Sequence, residues 1–202
     1  MRLDQEEVGD LDGNTRGFLE PGLGFPCPGL LLEFLARKQD AIGRLWLERT
    51  LQGYAKSTCR FFVEEQDRFR NPVGYTLKEN LPVLFAALLL GRASGESERA
   101  LDAIIRVRAV EDFSASQAVS FIFILEDIVQ QELRGERRVD PDGSALAAFE
   151  TRIDALALLA FDLFVRCREQ ICEIRANDVR RRTYVSRRLA ANSANSIENM
   201  SE

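Results

Sequence analysis

From Ser144 to Arg188 the chain carries neither glycine nor proline, and this uninterrupted stretch constrains the fold more than any other feature. Phe149, Ile153, Leu156, Ala160, Leu163 and Cys167 alternate four and three residues apart, and the row continues loosely through Ile171 and Ile174. Such spacing lines up apolar side chains on one face of a helix. A helix of about 45 residues is about 67 Å long. A compact domain of about 170 residues is only about 40 Å across. One end is therefore expected to project, and the apolar row makes it the C-terminal end, past about Arg175. The row itself has two readings. It packs within its own bundle, or it also forms a homodimer seam through Phe149, Ile153, Leu156, Leu163, Ile171 and Ile174. The row is wider than a strict seam, so core packing comes first and a dimer contact second.

The remaining chain also reads as helices. Residues 1–29 are acidic and then rich in Gly and Pro, which predicts a flexible arm. Leu31, Leu35, Lys38, Ile42, Leu45 and Arg49 share a helical row, giving a helix from about 30 to 52 that stops at Gly53. Residues 57–69 suit a short helix ending before Asn71-Pro72, since the residue before proline is pushed out of the helical region. Thr76-Leu-Lys-Glu79 has the form of a capping box, but a start there puts Pro82 in the second turn. The expectation is a short first turn, a bend, and a buried helix over 81–90. Ser94 or Ser97 caps a helix over 97–111, in which Asp102 and Arg106 are spaced for an ion pair. Ser114 and Gln117 have the form of a capping box opening a helix over 115–134. After a polar loop from Glu136 to Gly143 comes the long helix, and residues 189–202, without any period, predict a disordered tail. No strand pattern is present. The prediction is an all-α bundle of five or six helices, with one domain over 30–188.

Composition narrows the function classes. The net charge is −5 and 46% of residues are apolar, enough for a core and with no general pull toward nucleic acid or anionic lipid. No apolar run reaches the roughly 18 residues of a membrane span, and the N-terminus lacks the order of a secretory signal. A cytoplasmic protein is expected. There is no histidine, which removes the usual general base, the commonest zinc ligand and the usual proximal haem ligand. No cofactor and no metal are expected. Of the four cysteines, Cys27, Cys59, Cys167 and Cys172, none makes a C-x-x-C pair. Cys167 and Cys172 point about 140° apart on one helix and cannot share a metal.

Three groups of residues invite a chemical reading, each beside a structural one. No phosphate loop, nucleophile elbow or acidic metal motif occurs. Asp162 and Glu126-Asp127 lie within apolar stretches, where burial shifts a carboxylate and marks either a functional site or an ion pair. Arg106, Arg108, Asp112, Ser114, Ser116 and Gln117 crowd one helix corner. They suit an anion or signal site at a helix N-terminus, or one arginine pairs with Asp102 or Asp112 while Ser114 caps. Arg106 and Arg108 are about 200° apart on a helix and cannot both face one ligand. Finally, Arg175 to Arg188 holds six arginines against one acid, Asp178, a local +5 that leaves the rest of the chain at −10. Arg180, Arg181, Arg182, Arg187 and Arg188 form either a solvated helix end favoured by the macrodipole or a surface for an acidic protein partner. With only Tyr184 among them, nucleic acid is disfavoured.

Three segments carry a family likeness: Asn71-Pro-Val-Gly-Tyr-Thr76, Ile104 to Leu125 with its corner at Ser114, and Leu156 to Arg175. Over about Leu31 to Arg182 the chain resembles the N-terminal domain of the bacterial stress regulator RsbRD. That family comprises helical sensor-like modules attached to sigma-factor regulators, and related regulators carry non-haem globin-like domains. The resemblance implies a non-catalytic sensory or regulatory module in stress or redox-linked signalling. Globin-like helix crossing is among the arrangements it allows. Longer members feed a C-terminal STAS output domain, and here a stand-alone module without one is expected. It would signal through another regulatory protein or complex subunit, and a homodimer is expected. The alternative is a constitutive assembly or accessory protein of a larger redox or signalling complex, with no ligand.

Overall fold

A computed structural model describes residues 29–54, 67, 69–111, 113–134, 136, 139 and 143–198, with side chains described as far as Ser186, Val185 excepted. Among these the elements are all helices: α1 (Gly29–Arg37), α2 (Gln39–Leu51), α3 (Pro72–Leu90), α4 (Gly95–Val110), α5 (Ala115–Leu133) and α6 (Ser144–Glu198). The arm over 1–28 and most of the helix expected over 57–69 lie outside the described residues. The chain divides into two compact units, Met1–Phe164 and Val165–Glu202, with the boundary inside α6.

The first helix expected from the sequence is in fact two. It breaks at Lys38, whose amide is shared between the carbonyls of Phe34 and Leu35. The Lys38 ammonium lies 4.8 Å from the centre of the Phe34 ring and bonds Glu132 of α5 at 2.7 Å. Across the break the buried row moves. Leu31, Phe34 and Leu35 are inside on α1, whereas Ile42, Trp46, Thr50 and Leu51 are inside on α2. Leu45 and Arg49, expected on that row, are only half-buried.

The second departure concerns α3. It starts at Pro72, not near Thr76 or Asn80, and runs unbroken to Leu90. Asn71 is the cap: its side-chain oxygen accepts from the Gly74 amide at 2.8 Å, and Pro72 occupies the first helical position. An amide-bearing cap followed by a proline that needs no donor is a strong start signal. It overrides the Thr76–Glu79 pattern, which lies inside the helix. Pro82 stays within α3 and removes the donor to the Lys78 carbonyl. Leu77, Leu81, Leu84, Phe85 and Leu88 bury one face of this helix in the bundle. By length and composition α3 is the one helix among the described residues able to cross a membrane, with Lys78 and Glu79 inside it.

Local signals hold at the next two starts. Ser94 and Ser97 make a reciprocal capping box on α4, and Ser114 and Gln117 make one on α5. In the first unit, α3 packs mainly on α4 and on α2, and α2 also packs on α5. Trp46 joins the last pair. Its ring stacks on Phe121 with centroids 6.1 Å apart, and its indole N–H donates to the Phe121 carbonyl at 2.6 Å. Phe85, Phe121 and Phe149 are, with Trp46, the largest side chains sealed in this core.

The second unit is the rest of α6. Cys167 is buried, Arg166, Arg168 and Ile171 are half-buried, and from Cys172 to Tyr184 every side chain is exposed. The helix continues past the expected end at Arg188 to Glu198.

Candidate functional site

The corner between α4 and α5 gathers the densest polar cluster, and the structure separates its members sharply. Arg106 is on the outer face of α4, where its Nε donates to Asp102 at 2.6 Å. Arg108, two residues on, turns inward and is only 4% exposed. Its Nη1 donates to the Gln117 carbonyl in the first turn of α5 at 3.1 Å. The guanidinium carbon lies 5.0 Å from the centre of the Phe121 ring, 5.3 Å from Phe113 and 5.8 Å from Tyr54. Among the described residues its Nε has no hydrogen-bond partner. Three ring faces therefore replace much of the water this cation has lost.

Glu111 stands at the same corner but gives its carboxylate to the Tyr54 hydroxyl, which donates to it at 2.9 Å. Among the described residues Arg108 forms no ion pair. Burial lowers the Arg108 pKa from its ordinary value, opposed by the nearby Tyr54 and Glu111. Burial raises Glu111, opposed by the Tyr54 hydrogen bond and by Arg108. Tyr54 is pushed far up, first by burial. The result is a mutually dependent set: a sealed cation, a carboxylate facing it through space, and a phenol between helices.

Ser114 caps α5, accepting from the Gln117 amide at 3.3 Å, while the Gln117 side chain accepts from the Ser114 amide at 3.0 Å. Asp112 lies outside the described residues. Of the residues singled out in the sequence, the structure thus joins Arg108, Ser114 and Gln117 and leaves Arg106 apart. Tyr54, Glu111, Phe113 and Phe121 were missed as members. Phe113 and Phe121 flank the capping box and could have been suspected. Tyr54 comes from beyond the end of α2, and nothing in the sequence ties it to Arg108.

The other candidates place as follows. Phe149 and Ile153 are fully buried and Leu156 nearly so, and these fill the core without offering a surface to a second copy. Leu163 and Ile171 are half-buried, and Ile174 is exposed. Leu158 and Phe161, one turn apart on the outer face of α6, are exposed apolar residues that the row did not include. Arg180, Arg181 and Arg182 are all exposed, Arg182 pairing with Asp178 at 2.8 Å, and the side chains of Arg187 and Arg188 lie outside the description. Asp162 is exposed rather than partly buried. Glu126 is raised by partial burial and then by Glu150, Asp154 and Asp127. Among the described residues no three His, Cys, Asp or Glu side chains are grouped to hold a metal.

A family model for the RsbT co-antagonist protein rsbRD N-terminal domain matches residues 40–179. The chain belongs to that family. Membership places it with the regulatory domains of stress-response signalling. The match takes in nearly all of α2, then α3, α4, α5, the whole Arg108 corner, and α6 as far as Val179. Neither the curated proteins nor the solved structures contain a match.

Proposed function

We propose that this family member is a non-catalytic regulatory module that acts by binding another signalling protein through the basic part of α6. One observation carries the reading. Between Cys172 and Tyr184 a long helix exposes every side chain, including three consecutive arginines and the apolar Ile174, Val179 and Tyr184. A helix exposed all round gains nothing from a core and holds its shape best when something lies against it. Cations mixed with apolar side chains suit an acidic protein surface with apolar patches, and arginine can pair carboxylates bidentately. The Arg108 corner would be the internal part of the device, since it ties the exit of α2 to the start of α5. A signal shifts such an element only if it binds two arrangements unequally.

A second reading is favoured by Leu158 and Phe161, which are 55% and 44% exposed in the first unit. They suit a constitutive contact, either a homodimer or a subunit interface in a larger complex. One comparison separates the two. The triple variant Arg180→Gln, Arg181→Gln, Arg182→Gln should keep the wild-type thermal melt and lose the partner seen by native mass spectrometry of protein purified from its own cells. Binding that survives this variant but fails in Leu158→Asp favours the constitutive reading. Partner binding through the arginines should also weaken steeply with salt.

A further inference from the structure

We infer that the exposed apolar face around Phe123, Leu158 and Phe161, in the first unit of one copy, docks the basic helix of a second copy of this chain. The face follows from how α5 and α6 lie side by side. Gln130 donates to Glu150 across the two helices at 2.8 Å. Glu126, one turn earlier on α5, lies near both Glu150 and Asp154, the latter one turn later on α6. The helices therefore run antiparallel here. Following the same rows a further turn brings Phe123 level with Leu158 and Phe161. All three side chains are apolar and exposed. A grouping across two helices marks a contact surface, whereas scattered single residues do not.

One end of this face is acidic. Glu126, Asp127, Glu150 and Asp154 gather there, and among the described residues no cation pairs with any of them. An occupant should therefore be apolar in the middle and cationic beside it. The second unit has that chemistry. Arg175, Val179 and Arg182 share one row of α6, and Arg180, Arg181 and Tyr184 are exposed around it. Val179 and Tyr184 suit the apolar face, while the arginines reach carboxylates and cover apolar surface with their stems. The stretch from Arg175 to Arg188 is +5 and the rest of the chain −10, so opposite charges draw the two surfaces together. Nucleic acid or an anionic membrane would meet repulsion on this face. Every copy carries both surfaces, so the partner is always present at the chain's own concentration. The inference rests on reading the basic helix as a docking helix, and it names the acidic surface that this helix takes.

The test is sedimentation velocity of the full chain and of two variants at exposed positions. Asp127→Arg with Asp154→Arg inverts the rim, and Arg180→Glu with Arg181→Glu inverts the helix. Wild type should self-associate at about 100 μM, and molar salt should weaken this at least about tenfold. Each variant alone should be monomeric with an unchanged thermal melt. An equimolar mixture should associate again, because native helix meets native face and inverted helix meets inverted rim. Adding Leu158→Asp to the helix variant, whose face is otherwise native, should weaken that rescue. A monomeric wild type, self-association that either variant leaves intact, or monomeric variants that stay apart on mixing would each overturn the proposal. A dimer joined face to face through Leu158 and Phe161 would survive the helix variant and is excluded in this way. Wild type that stays monomeric while its arginines still bind another signalling protein would sink the self-contact and leave the docking-helix reading standing.

Discussion

Arg108 shows how a charge can be sealed in a core without a contact ion pair. Removing a cation from water costs several kcal/mol even after relaxation. Against that stand three ring contacts, each worth up to about 2 kcal/mol when desolvated, and one hydrogen bond to the charged group of about 1.5–3 kcal/mol. These contacts oppose the desolvation cost. The Gln117 carbonyl also accepts from Ser120 Oγ at 2.8 Å, so losing Arg108 does not orphan it. Arg108→Met, which keeps the volume and removes the charge, should change stability by less than about 1.5 kcal/mol. Arg108→Ala leaves a cavity and should cost about 3 kcal/mol. Urea melts of the two variants check this, and a large loss in the methionine variant would mean that the charge itself holds the corner. Gly91 poses the opposite problem, because backbone and packing act together. Its φ of +64° alone costs a side chain about 1–2 kcal/mol, and the added Cβ would displace the Arg152 guanidinium. Gly91→Ala should therefore cost more than about 2 kcal/mol in the wild type. In an Arg152→Ala background it should fall to the backbone part alone, a coupling that a double-mutant cycle measures.

Helix ends were legible where the signal was short-range. Ser94 with Ser97 and Ser114 with Gln117 each span three residues, so every partner in the box is in view along the chain. Ser94→Ala and Ser114→Ala should each cost about 1 kcal/mol. Because they cap different helices, the two losses should add, as thermal melts of the double variant would show. The start of α3 was misread for the same local reason: Thr76–Glu79 has the form of a box, and Asn71-Pro72 also has the form of a stop. Which of two valid start signals is used depends on where the buried row must begin. Gly74 and Leu77 are already inside, so the helix needs the earlier start. The break at Lys38 was invisible because an unbroken period ran through it. Lys38 reaches Glu132, a residue 94 positions away, and only the packed structure brings that carboxylate near.

At the scale of the molecule, charge distribution makes a prediction of its own. Glu126 faces Glu150, Asp154 and Asp127, and its pKa is raised above its ordinary 4.5 by burial and then by these carboxylates. Glu111 is raised too, chiefly by burial. A carboxyl group raised on folding binds its proton more tightly in the folded state. Its contribution is therefore fully present below about pH 4.5 and is lost as pH rises through the folded value. Glu126→Gln should stabilise the protein near pH 7, and the gain should vanish toward pH 4. Melting temperatures across that window decide the sign. A gain that grows toward acid pH would contradict the placement of Glu126 among the acids.

The helical class, the two capping boxes, the ion pair of Arg106 with Asp102 and the long last helix were determined by the sequence itself. Each depends on residues within a turn or two, whose relative positions a helix dictates. Tertiary structure alone decided which of two neighbouring arginines is sealed among Tyr54, Phe113 and Phe121. It also decided that Trp46 takes the Phe121 carbonyl, and that Arg152 meets Gly91 across 61 positions of chain. Those partners are set by how helices pack, and packing is a sum of many weak contacts that no local pattern encodes.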